Sequence, residues 1–371
     1  MAYLIALIAA LLGVFLNDKM SPGLRKIYLA IVGLYMVALI GFRYKVGIDT
    51  IMYMNAYRTY PSIWEILNGA HFPKVRFEPG LMWVYALCKS FTNEFWPVQM
   101  IMSAITTSTI FIFLHRYCRN VFLGVVFFII LQWLYFSVEI MRESAAVGIS
   151  LVNYKNLQEK RWIRYYLFSI FSLVFHYSAI IIWLFPFVRW LKLNWIFFVL
   201  CLGAAAITPL VENLNDMLNI ASITGRITMY VESTKDLTIN WRLAELVKSG
   251  FPAVLTLIGF HIIRQETMFR QMLLLQILLC MGTFAIPVIF SRFTNYTSLY
   301  ITVAAANLLT CGKMREWMKI VYIVLMLLSQ AYYLNSMRDR WFPYVSVFNK
   351  ENLPKRNNLY RHFFMPWLKN R

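Results

Sequence analysis

Arg43, Asp49 and Tyr53 lie close together in the run Gly41-Phe42-Arg43-Tyr44-Lys45-Val46-Gly47-Ile48-Asp49-Thr50-Ile51-Met52-Tyr53. An arginine stays charged at any physiological pH, and its planar fork matches the oxygens of a phosphate. Asp49 can orient that fork or take a proton as a base. Glycines let the backbone turn tightly where a substrate approaches. The same Arg43–Asp49 pair serves equally well to close a loop structurally. The block continues through Tyr57-Arg58 to Arg76-Phe77-Glu78-Pro79-Gly80, where Glu78 adds a second carboxylate.

Three further blocks place charge or imidazole between apolar stretches. Glu139-Ile140-Met141-Arg142-Glu143-Ser144-Ala145-Ala146 sets three ionisable groups where a simple turn would use Gly, Pro or Asn. Its small residues let neighbouring helices approach closely. A cation in such surroundings needs an anion, which makes Arg142 a candidate for substrate. A salt-bridged helix start, with Glu143 near the positive end, is the structural alternative. His176, in Phe175-His176-Tyr177-Ser178-Ala179, can bond a sugar hydroxyl, act as a general base or be a satisfied core residue. Arg292, in Ser291-Arg292-Phe293-Thr294-Asn295-Tyr296, again stands between long apolar runs, either as a ligand or snorkelling to an interface. The loop 211–242 mixes acidic, basic and aromatic residues, which suits a lid over a sugar chain or an ordinary connector.

Absences narrow the chemistry. The sequence has no Walker A, HExxH or GxSxG motif, which disfavours an ATP-driven pump, a zinc protease and a serine hydrolase. Cys88, Cys118, Cys201, Cys280 and Cys311 are scattered without metal-ligand spacing, so no disulfide framework, metal or other cofactor is expected. Three arginines beside few carboxylates point to a diphosphate ligand.

The elements that hold these residues must be membrane helices. Of 371 residues, 60% are hydrophobic and only 14% charged, and aromatics reach 17%. A soluble domain is closer to half apolar and a quarter charged, and abundant Trp and Tyr suit two membrane interfaces. The net charge of +19 comes from 36 Lys and Arg against 17 Asp and Glu. It lies in short clusters between apolar runs, which reads as positive-inside topology and anionic headgroups and not as nucleic-acid binding. The expected architecture is all-α and polytopic: one membrane domain over 1–371, about 12 transmembrane helices and short re-entrant or interfacial helices. Expected spans cover roughly 2–16, 26–42, 97–114, 121–138, 140–154, 165–176, 178–190, 194–210, 243–262, 270–290, 294–311 and 318–335. The N-terminal run, followed by Asn17-Asp18-Lys19, reads as a first membrane helix and not as a cleaved signal.

Topology turns on residues 80–91, whose length favours an interfacial or re-entrant piece. If they do not cross, the basic loops around Lys26, Arg116, Lys160, Arg189, Arg264 and Arg315 share the cytoplasmic side. The long segments 43–79 and 211–242, with Arg142, His176 and Arg292, then share the outer one. The basic tail 336–371 also falls outside, against the positive-inside count, and its prolines read as an irregular surface segment.

Gly41-Phe42-Arg43-Tyr44-x-Val46-Gly47-x-Asp49-x-x-x-Tyr53 resembles the signature of the EpsG/Wzy-like polysaccharide polymerases of bacterial envelopes. The later blocks follow in matching order: Phe77-Glu78-Pro79-Gly80, Met141 to Ala145, Phe175 to Ala179, Arg292-Phe293-x-x-Tyr296 and Pro343-Tyr344. Departures are mild, with Glu143 where glutamine is common and Thr50 where an aromatic is common. The resemblance implies a glycosyltransferase of the cytoplasmic (inner) membrane, active at the outer face. It would join oligosaccharide repeats carried on undecaprenyl diphosphate into O-antigen, capsule or exopolysaccharide. Its partners would be that lipid-linked oligosaccharide, membrane lipids, a chain-length regulator and other assembly proteins, with no nucleic acid. Arg43, Arg142 and Arg292, with Tyr53 and Tyr296, would then bind substrate. The base would come from His176, Asp49, Glu143 or Glu78, the first two ranking highest. The alternatives are another polyprenyl-phosphate glycosyltransferase or O-antigen ligase, a flippase for the same lipid, which should show two related halves, and an acyltransferase using His176.

Overall fold

The computed structural model describes residues 2–73, 77–206, 243–262 and 268–369. Arg76 and the suggested lid at 211–242 lie outside the described residues. The chain divides into two compact units. The first is Met1–Lys155 with Ile163–Tyr177 and Leu334–Arg371, and the second is Asn156–Trp162 with Ser178–Tyr333. Among the described residues every regular element is helical, as expected, and strand-like pairing is confined to an isolated bridge between Arg43 and Ser346.

Four described helices are long and apolar enough to cross a membrane: Pro22–Gly41, Trp96–Tyr117, Leu243–Ile262 and Glu316–Ser336. Six shorter apolar helices accompany them. Several expected spans take another form. Residues 121–138 make a short α-helix that loosens into two π turns, Ile129–Trp133 and Tyr135–Glu139. Residues 178–190 wind as a 3-10 helix, Tyr177–Trp190, with Pro186 inside it.

The first unit is built on α1 (Ala2–Leu16) and α2 (Pro22–Gly41). Ser21 caps α2 by accepting from the Leu24 N–H at 3.3 Å, and Pro22 fills a first-turn position whose missing N–H costs nothing. The two helices run antiparallel, because Tyr28 donates to Ala9 O and Tyr35 to Ala2 O, each at 2.8 Å. Segment 43–79 is not merely a loop: it holds α3 (Ile48–Thr59) and α4 (Ile63–Leu67). Then follow α5 (Pro79–Lys89) and α6 (Trp96–Tyr117). A Cβ on Gly41 would meet Met100 and one on Gly33 would meet Phe111, so α6 runs antiparallel to α2. The C-terminus of α2 and the N-terminus of α6 therefore share one end of the pair. The 42–95 connection leaves and returns on the same side. Helix α5 is about 17 Å long at 1.5 Å per residue, roughly half the hydrocarbon thickness.

After α7 (Val121–Phe128) and its π turns come α8 (Met141–Val152), α9 (Tyr154–Gln158) and α10 (Trp162–Phe175). Helix α8 lies along α6, with Thr106 and Ser144 hydroxyls 3.1 Å apart and Gly148 leaving no room for a Cβ against Thr109. The second unit carries α11 (Trp195–Ala206), α12 (Phe251–Ile262, entered by the π turn Leu246–Gly250), α13 (Met268–Gly282) and α14 (Pro287–Leu309). Helix α15 spans Glu316–Ser336. Arg292 was expected between two helices. It lies within α14, because Pro287 starts that helix earlier than the hydropathy pattern suggests.

The tail is the largest departure. It was expected to be an irregular surface segment, yet it forms α16 (Arg338–Trp341) and α17 (Leu353–Lys369) and packs into the first unit. Trp341 and Arg356 are each 1% exposed. The Arg356 guanidinium donates to Lys45 O at 2.8 Å, Asp339 O at 2.7 Å, Phe342 O at 3.0 Å and also to Arg340 O. Lys45 has the unusual φ of 54°, and Gly47 has φ 95°, a region glycine enters freely. Both carbonyls accept from Tyr360, and the Gly47 N–H donates to Arg340 O at 3.1 Å. A fully desolvated guanidinium is tolerable here because carbonyl dipoles surround it.

Reporters inserted at exposed Asn93 and at Gly69 should lie on one face of the membrane, and reporters at Gly23 and Arg119 on the other. Accessibility of Asn93 from the same side as Arg119 would contradict the antiparallel α2–α6 pair. Arg356→Ala should lower stability by roughly 3 kcal/mol, since it strips donors from several buried carbonyls. Thermal unfolding of detergent-solubilised protein would read this, and an unchanged midpoint would show that the tail is not held through Arg356.

Candidate functional site

The site begins with where α5 starts. Glu78 is its N-cap residue, in extended conformation (φ −64°, ψ 149°), but its side chain does not cap the helix. Pro79 follows and has no N–H to satisfy. The Glu78 carboxylate is therefore available to other partners, although the residue is buried. One oxygen, Oε2, accepts from Arg142 Nη1, and the other, Oε1, lies 3.8 Å from His176 Nε2. Three blocks far apart in sequence thus meet on one carboxylate.

Each partner is placed by a helix end. Arg142 is the second residue of α8, just past the π turn that ends at Glu139. Such turns commonly accompany functional sites. His176 sits between the end of α10 and the 3-10 helix, with its N–H on Ser172 O at 3.1 Å. The start of α5 reaches it because Gly80 has no Cβ. A methyl there would come within 2.9 Å of the Phe175 ring.

Aromatic side chains complete the Arg142 environment. Arg142 Nε donates to the Tyr53 hydroxyl at 3.2 Å. The guanidinium carbon lies 4.8 Å from the Phe77 ring centre and 5.4 Å from that of Tyr53, both within cation–π range. Tyr53 is held from behind by Tyr85, whose hydroxyl donates to Tyr53 O at 3.1 Å. Tyr57, Tyr60, Tyr85 and Phe95 form the buried aromatic floor of α3 and α5. With Nε and Nη1 engaged, Nη2 of Arg142 has no acceptor among the described residues, and it is not one of the buried unpaired atoms. The Arg142 side chain keeps 18% exposure, against 7% for Glu78 and for His176.

Arg43 is placed otherwise. It is 1% exposed, and its guanidinium donates to Ile40 O at 2.8 Å, Val46 O at 3.4 Å and Thr50 Oγ1 at 3.5 Å. The Gln99 amide, with its oxygen turned to Arg43, accepts from Nε and Nη1 at 3.1 Å each. Burial pulls the Arg43 guanidinium down to about 10, with Tyr3 and Glu139 opposing that fall, so it remains charged at neutral pH. Its fork is spent on the protein. Asp49 lies in the first turn of α3, where a carboxylate favours the helix dipole, one turn before Tyr53. Glu143 is buried on α8, about 100° around the helix from Arg142. Arg292 and Tyr296 belong to the second unit, where the Tyr296 hydroxyl lies 3.1 Å from Ser178 Oγ. Among the described residues no group of His, Cys, Asp and Glu could hold a metal.

A family model, that of the EpsG family, matches residues 26–346. The chain belongs to the EpsG family. No curated protein and no solved structure matches it. Membership in the EpsG family points to glycosyltransferase chemistry of the polysaccharide-polymerase type in a membrane-embedded protein. In this EpsG-family chain the match runs from within α2 to just past Pro343-Tyr344, so the Arg142 site falls inside the family region, while the tail anchors Arg356 and Tyr360 lie beyond it. Sequence reasoning missed Phe77, Gln99 and Trp341 as parts of this arrangement. Phe77 had a signal, an aromatic next to Glu78, whereas Gln99 and Trp341 act across the fold.

Glu78→Gln should destabilise the EpsG-family protein by roughly 2 kcal/mol, since it leaves the Arg142 charge without its carboxylate. Adding Arg142→Gln should cost less than the sum of the single changes. Simple additivity in that double-mutant cycle would rule out the pair.

Proposed function

We propose that this chain polymerises lipid-diphosphate-linked oligosaccharide repeats at the outer face of the bacterial cytoplasmic membrane, forming a surface polysaccharide such as O-antigen, capsule or exopolysaccharide. The observation that carries the reading is Arg142: a guanidinium fixed by Tyr53 and Glu78 through two of its nitrogens, with no acceptor on Nη2 among the described residues. A phosphate oxygen is the acceptor that such a preoriented charge fits best.

The reaction breaks the bond between the anomeric carbon and the diphosphate oxygen. The bonding pair leaves with the lipid diphosphate, whose growing negative charge Arg142 offsets. Stabilisation prepared in advance and aimed at developing charge is the largest single contribution in many enzymes. The acceptor hydroxyl of the next repeat attacks the anomeric carbon and gives its proton to His176. Glu78 holds the imidazole and favours its protonated form once the proton arrives. Within this reading Glu78 is the positioning group for both, and Arg43 supports the α2–α3 corner. Asp49 remains the second candidate for the base, and Arg292 and Tyr296 remain candidates for binding substrate. No nucleotide is required, because the donor carries its own activated bond.

Surface polysaccharide from a deletion strain carrying each variant tests this on gels. Arg142→Lys should reduce long chains by about a hundredfold, since a point charge cannot replace the fork. His176→Asn should reduce them similarly and, in membranes supplied with lipid-linked repeats, should remove the rise of rate with pH that a neutral base produces. Single repeat units should accumulate in both. Normal ladders from Arg142→Lys would remove the diphosphate role, and an unchanged pH profile in His176→Asn would move the base elsewhere.

A further inference from the structure

A cavity of about 480 Å³ lies between α2 and α6, away from the residues that make up the Arg142 site. Its lining residues pair as an antiparallel contact requires. Lys26 stands opposite His115, Gly33 opposite Ser108 and Val37 opposite Ala104, so each pair of numbers has the same sum. The groove exists because its centre is small: Ala30, Gly33, Ala104 and Ser108 leave the space that larger side chains would fill. Both helices meet the length and composition of a membrane crossing.

Three features describe what fits. The groove runs eleven residue steps along α2 from Lys26 to Val37, about 17 Å at 1.5 Å per residue. That is close to the depth of one leaflet, half of a hydrocarbon core about 30 Å thick. Lys26 and His115 lie together at one end, and neither has an ion-pair partner among the described residues. The remaining lining is apolar but for Ser108 and Thr107. Thr107, only 2% exposed, has a hydroxyl without a partner. It is a donor left for a ligand or for the water that accompanies it.

We infer that this groove binds one acyl chain of an anionic phospholipid, with the phosphate at Lys26 and His115. Length sets the acyl chain, and the charge at one end sets the sign of the headgroup. The cationic end is opposite the end where α2 runs into Arg43, so this lipid occupies the leaflet remote from the 42–95 connection. It is thus a different molecule from a substrate whose diphosphate meets Arg142, and the inference stands whether or not the proposed polymerisation does.

The test uses the full chain in nanodiscs of equal phosphatidylglycerol and phosphatidylcholine, with retained lipid counted by native mass spectrometry. The wild type should retain phosphatidylglycerol over phosphatidylcholine by roughly fivefold, the scale expected for a basic residue at a membrane surface. Lys26→Gln with His115→Gln should abolish the preference while a lipid is still retained. Ala30→Trp fills the groove from an exposed position and should abolish retention. Ser108→Trp does the same from the facing helix should the first variant fail to fold. Equal retention of the two lipids by the wild type would overturn the inference. So would a preference that survives the double glutamine variant, retention that survives a tryptophan, or a polyprenyl phosphate held there instead.

Discussion

Glu139 is the carboxylate on which the first unit's geometry converges. Its Oε2 accepts from the Ile48 N–H at 3.2 Å, and its Oε1 from the Trp341 indole at 3.1 Å. One side chain thus joins the start of α3, the short helix of the tail and the π turn that leads into α8. Only 4% exposed, it would be costly without these bonds, and an anion at the start of α3 also meets the positive end of the helix. Arg142 follows three residues later, and Tyr53 five residues after Ile48. The contact between Arg142 and Tyr53 is therefore set by a clamp that touches neither. Glu139 fixes the register of α3 against α8, and the site inherits it.

Arg43, Arg142 and Arg356 show how one residue type takes different roles in similar surroundings. All sit among apolar groups beside helix ends. Arg43 spends its donors on Ile40 O, Val46 O and the Thr50 hydroxyl, and Arg356 spends its own on the carbonyls of Lys45, Asp339 and Phe342. Such arginines hold corners together. Among the described residues Arg142 bonds Tyr53 and Glu78, and its Nη2 has no acceptor. Charge alone does not separate the structural cations from the candidate ligand. The inventory of used and unused donors does.

Charge between apolar runs marked residues that the fold draws together. Arg142, His176 and Glu78 all stood out in the sequence because an ionisable group there needs a reason, and the structure brings those three together. Their pairing was not legible. Glu143 adjoins Arg142 in sequence, yet neighbouring helical residues diverge by about 100°, so the carboxylate on Arg142 comes instead from Glu78 at a distant helix start. The tail was misread for a related reason. Its anchors, Arg356 and Trp341, bind backbone carbonyls and a far carboxylate, and neither partner leaves a local pattern. The helical class was plain from composition. Individual spans were not, because π turns, a 3-10 stretch and an early Pro287 start shift boundaries that hydropathy alone cannot place.

The Arg142–Glu78 pair bears on how a polymerase of this kind would manage charge. A bare guanidinium between Phe77 and Tyr53 would be expensive to hold in the resting protein. Glu78 makes it affordable and, by taking Nη1, aims it. A diphosphate arriving at Nη2 brings more negative charge than one carboxylate can share. Glu78 has somewhere to go: His176 Nε2 is 3.8 Å from its other oxygen, and that imidazole becomes a cation when it accepts a proton. The carboxylate would then shift its weight from Arg142 to His176 as the leaving group gains charge and the acceptor loses its proton. The two halves of the transfer would be coupled through one side chain, with no net charge left uncompensated at either end. An arginine paired to a carboxylate without such a second partner would bind the diphosphate more weakly, because each step of binding would strand an anion.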